Sequence, residues 1–457
     1  MINNPEEWKG AELTMYTLDY FSVLHDLNRT IIEGTSAYPK LGRMFRNMLD
    51  NTLSSTIQRQ PDGTTFVITG DIPAMWLRDS AAQIRPFLVP AGQDDNLADL
   101  IEGLVRRQTA FILLDPYANA FNDSPSGQGH QNDRTAMNPW LWERKYEIDS
   151  LCYPLQLAYL LWKETGRTSH LDQTFHSAAR VILDIWRTEQ HHETDSPYFF
   201  ERFDCPPSDT LPRGGKGAEV AYTGMTWSGF RPSDDACTYG YLIPSNMFAV
   251  VVLGYLAEIS RDVLRDPELE AEAEKLADEI RHGIASYGVV DHPEYGNIYA
   301  YETDGMGNHL LMDDANVPSL LSIPYLGYTS ADDPVYQNTR RFVLSRANPY
   351  YYQGTAAAGV GSPHTPDRYI WPIALAIQGL TTTDREEKLR LLQLMADTDA
   401  GTGMMHEGFL VDDPARYTRP WFSWANMMFC ELIMDYCGIR VKANDIGGGH
   451  RDHHGNQ

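Results

Sequence analysis

Apolar residues return at helical spacing along most of this chain, and strand alternation is scarce. Leu97, Leu100, Ile101, Leu104, Val105, Phe111 and Ile112 trace one stripe, with Glu102, Arg106 and Arg107 on the opposite side. Such a stripe marks an amphipathic helix with one buried face. Arg261–Ser286 reads the same way, charged outward through Glu268, Glu270, Glu272, Glu274 and Lys275. Pro244–Leu256 and Tyr369–Leu380 differ, because they are apolar nearly all round. A helix of that kind must be covered on every side. Two classes of helix predict an inner ring sheathed by an outer ring.

Between the helices lie segments rich in Trp, Asp, Arg, Gly and Pro: Thr69–Ser80, Asn138–Asp149, Thr226–Asn246, Glu302–Pro318, Thr355–Trp371 and Asp399–Trp424. There are six, and each precedes an apolar helical stretch. About a dozen helices in six hairpins, with six polar-aromatic loops entering the inner helices, describe an all-α (α/α)6 toroid. The loops are expected to converge on one mouth, where helix N-termini present N–H groups without intrahelical partners. No short repeat, linker or domain boundary interrupts the pattern. We therefore expect one domain over residues 1–440, followed by a flexible tail over 441–457 that carries His450, His453 and His454.

Charge narrows the choice of partner. The chain of 457 residues has 62 acidic and 37 Lys or Arg side chains, a formal charge of −25. An acidic surface repels phosphate backbones, so a nucleic-acid partner is not expected. Met1–Gly10 has no basic segment followed by an apolar run, so no signal peptide is read there. No stretch approaches the roughly 20 apolar residues of a membrane helix. The five cysteines, Cys152, Cys205, Cys237, Cys430 and Cys437, form no C-x-x-C pair. Free thiols and a cytoplasmic location follow as expectations.

The six loops mix aromatic residues (Trp76, Trp140, Trp142, Trp227, Trp371, Trp421, Trp424) with carboxylates and arginines. Sugars need this combination: flat apolar surfaces for C–H faces, and charged or amide groups for hydroxyls. Glycosidases use two carboxyl groups, an acid on the leaving oxygen and a base or nucleophile across the ring. Two candidates stand out. Asp234 and Asp235 are adjacent, and repulsion between them can hold one protonated in apolar surroundings. Glu407 lies in the otherwise apolar Met404-Met405-His406-Glu407-Gly408-Phe409, although a glutamate there also serves as a salt-bridge partner.

Other chemistries fit less well. His406-Glu407 is followed by Gly408-Phe409-Leu410, so no H-E-x-x-H zinc motif is present, and no EF-hand loop occurs. Asp234-Asp235, Asp313-Asp314 and Asp412-Asp413 lack the further aspartate of a diphosphate-binding cyclase. An epimerase would pair histidines, and His364 and His406 each stand singly. A non-catalytic glycan-binding protein shares the aromatic features but has no need of two opposed carboxyl groups.

A resemblance adds to this reading. Thr69-Gly70-Asp71-Ile72-Pro73-Ala74-Met75-Trp76-Leu77-Arg78-Asp79-Ser80 resembles the N-terminal signature of glycoside hydrolase family 125. The likeness continues through Trp142–Ser150, Gly224–Asp235, Met405–Phe409 and Arg419–Phe422, and spans roughly residues 15 to 440. It implies an (α/α)6 fold, exo-acting α-1,6-mannosidase activity on mannose-containing oligosaccharides, inversion, and no cofactor or catalytic metal. Carried onto this chain, it makes the Asp-Asp pair the source of the acid and Glu407 the base. We assign Asp234 as acid, with Asp235 as its rival. Inversion needs room for a water, so the two carboxyl groups should lie about 6.5–9.5 Å apart. Substrate contacts are expected from Asp71, Trp76, Arg78, Asp79, Trp227, Arg231, Asp235, Asn246, His364 and Trp371. For Arg78–Asp79 a structural pair at a helix start is the alternative.

Overall fold

A computed structural model describes residue 16 and residues 18–442. Of the tail expected over 441–457, residues 443–457 lie outside these residues. Val441 is buried, and the Lys442 N–H donates to Glu164 Oε1 at 2.5 Å, so the packed structure continues to that point.

Twelve helical segments alternate between two roles, after a first helix over Ser22–Gly34. Six are inner: Leu77–Ile84, Ile148–Thr165, Ile243–Ile259, Ile323–Leu326, Pro372–Leu380 and Ser423–Tyr436. Six are outer: Pro39–Ser55, Asp95–Leu114, Gln173–Gln190, Pro267–Tyr287, Pro334–Val343 and Arg385–Asp397. All eight residues of Leu77–Ile84 are buried, as are all but one of Pro372–Leu380. Leu77–Ile84 packs against both Ile148–Thr165 and Ser423–Tyr436, so the first inner helix meets the last and closes the ring. The (α/α)6 toroid predicted from the two helix classes is the fold observed.

Capping chemistry separates the rings. Asp94, Asp172, Asp266, Asp333 and Asp384 cap five outer helices, each accepting backbone N–H bonds of the first turn. Each such cap contributes about 1 kcal/mol. The inner helices begin at Trp76, Glu147, Leu242, Ser322, Trp371 and Phe422, and none has a side-chain cap. The outer ring is finished locally; the inner ends are left to tertiary partners.

Three details depart from expectation. The helix expected over Arg261–Ser286 starts at Pro267, because Asp266 caps it and Ser260–Leu264 forms a separate π-helical turn. Tyr369 and Ile370 are strand rather than helix, paired with Leu410 and Phe409. The fourth inner helix is a single turn: Gly327 at φ +95° ends it, and the Asp313 carboxylate holds the preceding loop by accepting from Leu320 and Leu321 N–H at 2.8 and 3.0 Å. Among the described residues, six small sheets occupy the loops, with strands of two to six residues, too short for alternation to register in the sequence. Their effect is to brace the loops at the inner helix starts.

Candidate active site

Those inner helix starts surround a cavity of about 330 Å³, at the small end of the range for small-molecule sites. Trp76, Arg78 and Asp79 reach it from the first inner helix, Trp371 from the fifth, and Phe422 and Trp424 from the sixth. Gly70 permits the first and last loops to meet: it sits at φ +132°, and a Cβ there would lie 2.7 Å from the Trp421 carbonyl. Asp71 N–H donates to that carbonyl at 3.2 Å, and Ser423 N–H to Thr69 O at 3.0 Å. The cavity is built across the closure of the ring.

Arg78 is the hub of its charged side. Nη1 contacts Glu147 Oε2 at 2.5 Å and Asp149 Oδ2 at 3.4 Å. Nη2 contacts Asp234 Oδ1 at 3.2 Å, and Nε lies 3.3 Å from Asp79 Oδ1. Asn119 Nδ2 also donates to Asp234 Oδ1, at 3.2 Å. The first-turn Arg-Asp pair is thus an internal ion cluster that also faces the cavity.

Asp234 owes its position to a tight turn. Its own N–H donates to Arg231 O, Arg231 N–H donates to Asp235 O at 2.8 Å, and Asp234 takes φ +66°, a left-handed conformation. The turn sends the neighbouring carboxylates different ways. Asp234 lines the cavity with a side chain 24 % exposed. Asp235 is buried behind the lining, with Oδ1 3.0 Å from His364 Nδ1. The repulsion expected between the pair is not among the main influences on Asp234. Burial pushes the Asp234 carboxyl up, but Arg78, a hydrogen bond with Glu147, Lys145 and His364 together hold it well below the usual range.

Glu407 arrives from the other side, just before strand Gly408–Leu410, with its N–H on Thr418 O at 3.3 Å. It is almost fully buried, and Arg419 Nη1 lies 3.7 Å from Oε1. Two residues register both candidate catalytic carboxylates. Asp79 is raised to about 6 by burial, against the pull of Arg78 and Arg419, with Asp234 and Glu407 adding repulsion. Burial alone would depress His364; its hydrogen bond with Asp235 and the charges of Asp235, Glu407 and Asp234 raise it to about 9. Asp234 and Glu407 therefore open into one cavity, within electrostatic reach of common neighbours.

Of the other residues expected at the site, Trp76, Arg78, Asp79, His364 and Trp371 line the cavity. Trp371 is fixed by Nε1 donating to Thr365 Oγ1 at 2.9 Å. Four of the expected contacts are corrected. Trp227 does not line the cavity and is stacked on His192 at 3.6 Å, so it is core rather than a sugar platform. Arg231 is buried with Nε on Glu302 Oε1 at 2.6 Å, and anchors the Asp234 turn from beneath. Asn246 spends its amide on the backbone of Thr226 and Leu242. Asp71 stands at the rim, where both of its oxygens are taken by Arg419.

Asn119 and Lys145 were missed as site residues. Asn119 bridges Asp234, Glu143 and the Lys145 N–H; Lys145 Nζ donates to the Asp234 carbonyl at 2.7 Å. Lys145 lies within a motif already noted, next to Arg144 and Tyr146, whereas Asn119 sits in an ordinary polar loop with no signal of its own.

Known proteins share the sequence and fold of this chain. Residues 38–434 match the family described as metal-independent alpha-mannosidase, GH125. The "Meiotically up-regulated gene 157 protein" of Schizosaccharomyces pombe is 41 % identical over 422 residues, covering 86 % of this chain and 82 % of that protein. A solved Streptococcus pneumoniae structure, described among metal-independent α-mannosidases as a non-productive complex with α-1,6-mannobiose, is 55 % identical. It aligns with 92 % of this chain and 99 % of its own, at a TM-score of 0.90. A wild-type glycosidase at 14 % identity aligns over 87 % of this chain and 97 % of its own with a TM-score of 0.53, a likeness of fold alone.

Proposed function

The chain belongs to the metal-independent α-mannosidases of glycoside hydrolase family 125, and from that premise we propose that it removes terminal α-1,6-linked mannose from the non-reducing end of oligosaccharides, including N-glycan fragments, with inversion. The observation that carries this reading is the entry of Asp234 and Glu407 into one cavity from loops far apart in the chain. In the reaction, Asp234 passes a proton to the glycosidic oxygen as the bond to C1 breaks. Glu407 draws a proton from the water that attacks C1 on the opposite face. Arg419 stands beside Glu407 as its counter-charge. Trp76, Trp371, Phe422 and Trp424 supply apolar surface for the ring.

The bound disaccharide of the pneumococcal relative supports the α-1,6 linkage for this chain too. Among the described residues, no helix is long and apolar enough to cross a membrane. The five cysteines are unpaired, which favours action in a reducing, cytoplasmic compartment.

Proton NMR of an α-1,6-mannobiose digest tests the proposal. β-Mannose should appear first and then mutarotate. First appearance of α-mannose would mean retention, and absence of free mannose would remove the hydrolase reading.

A further inference from the structure

Glu147 sits behind Asp234, at the start of the second inner helix, and its side chain is fully buried. Its two oxygens are treated unequally. Oε2 receives Arg78 Nη1 at 2.5 Å and Ser150 Oγ at 2.7 Å. Oε1 is buried with no donor facing it. An ionised carboxylate with one bare, buried oxygen is costly, and a proton on that oxygen removes the cost. An acceptor for that proton is held beside it, because Arg78 grips Glu147 through Nη1 and Asp234 through Nη2. Asp234 Oδ1 already accepts from Arg78 and Asn119, which leaves Oδ2 to carry a proton.

Counting charges leads to the same place. Arg78 alone meets four carboxyl groups: Asp79, Glu147, Asp149 and Asp234. Lys145, Arg419 and His364 add positive charge nearby, but the ion-pair contact of Glu147 is with Arg78, which is shared among four carboxyl groups, so burial keeps a proton on the cluster. Other titratable groups facing it include Lys145, Arg419, His364, Glu407, Cys152, Cys237 and Tyr153. Burial raises Glu147 far above the usual range and Asp149 to about 6, while Asp234 is held down.

We propose that Glu147 is a positioning residue for the leaving-group proton: Glu147 and Asp234 hold one proton between them, and this is the proton that Asp234 delivers. The proposal rests on the reading of Asp234 as the acid. The proton moves from the Glu147 carboxyl to the Asp234 carboxylate, then to the glycosidic oxygen, which takes the electron pair of the broken C1–O bond. Glu147 is left ionised against Arg78 and Ser150. A solvent proton entering through the cavity restores the pair.

Glu147→Gln tests this with two substrates. α-1,6-Mannobiose needs a proton on its leaving oxygen; α-mannosyl fluoride does not. The expected result is a loss on the order of 10²-fold in kcat on mannobiose, the scale of general acid catalysis, with the fluoride rate largely kept. The alkaline limb of kcat/KM on mannobiose should also move to lower pH, because a permanent amide donor favours ionised Asp234. Glu147→Asp, which still titrates, should retain the wild-type limb at reduced kcat. Wild-type turnover of mannobiose by Glu147→Gln, or equal loss on both substrates in both variants, overturns the proposal. Asp234→Asn separates the two ideas: if it still cleaves mannobiose, the acid assignment itself has failed, whatever Glu147 does.

Discussion

His364 Nδ1 lies 3.0 Å from Asp235 Oδ1, although Asp235 is the sequence neighbour of the carboxylate that faces the cavity. One residue of the Asp-Asp pair lines the site; the other holds a cation against its wall. The two substitutions should therefore behave differently. Asp234→Asn is expected to lower kcat on α-1,6-mannobiose by about 10²–10⁴-fold. Asp235→Asn should leave the acid in place, give a smaller loss and lower the His364 titration, measurable by imidazole NMR. Equal losses would contradict the division.

His364 also sets a pH dependence of stability. Its folded pKa, about 9, lies above the roughly 6.5 of an unfolded histidine. The charge interaction with Asp235 is thus fully present below about pH 6.5 and is lost as pH rises through about 9. Urea midpoints of wild type and His364→Gln, compared from pH 6 to 10, should converge at the alkaline end. A constant gap would mean that the imidazolium adds nothing.

Glu407→Gln should abolish most turnover while leaving mannose binding and the melting temperature close to wild type. The fold argument is specific: Arg419 keeps its bonds to Asp71 and Thr69 when Glu407 loses its charge. Calorimetric mannose binding alongside kcat checks both halves. Turnover near wild type would remove Glu407 from the mechanism.

Arg231→Ala leaves Glu302 as a buried, unpaired carboxylate beneath the Asp234 turn. Breaking such a pair costs about 3–5 kcal/mol, so urea denaturation should show a loss of that order. Arg231→Ala with unaltered stability would place the pair in a wetter setting than its burial indicates.

Chelation should leave activity unchanged. Among the described residues, no group of three or more His, Cys, Asp or Glu side chains is arranged to hold a metal ion, and acid–base hydrolysis is complete with the two carboxyl groups. EDTA-treated and untreated protein, assayed together on mannobiose, should agree; a loss restored by a divalent ion would call for a different mechanism.

Much of the site was legible because its residues sit at the starts of inner helices. Trp76 precedes the buried helix Leu77–Ile84 and Arg78 and Asp79 lie in its first turn, while Trp371 directly precedes Pro372–Leu380. A polar-aromatic loop running into an apolar helix marks such a start without coordinates. Trp227, Arg231 and Asn246 share the same kind of loop and yet point inward. Composition does not distinguish a tryptophan stacked on His192 from one open to a sugar.

Helix class is a local property: the spacing of apolar residues decides which faces must be covered, so periodicity alone predicted two rings of helices and their common mouth. Side-chain direction is not local. A single left-handed residue, Asp234 at φ +66°, turns one carboxylate into the cavity and its neighbour away. The partners that give each charge its meaning lie far along the chain, 69 residues apart for Arg78 and Glu147 and 348 for Arg419 and Asp71. Those pairings exist only once the ring has closed, and they decided which residues line the cavity and which lie behind it.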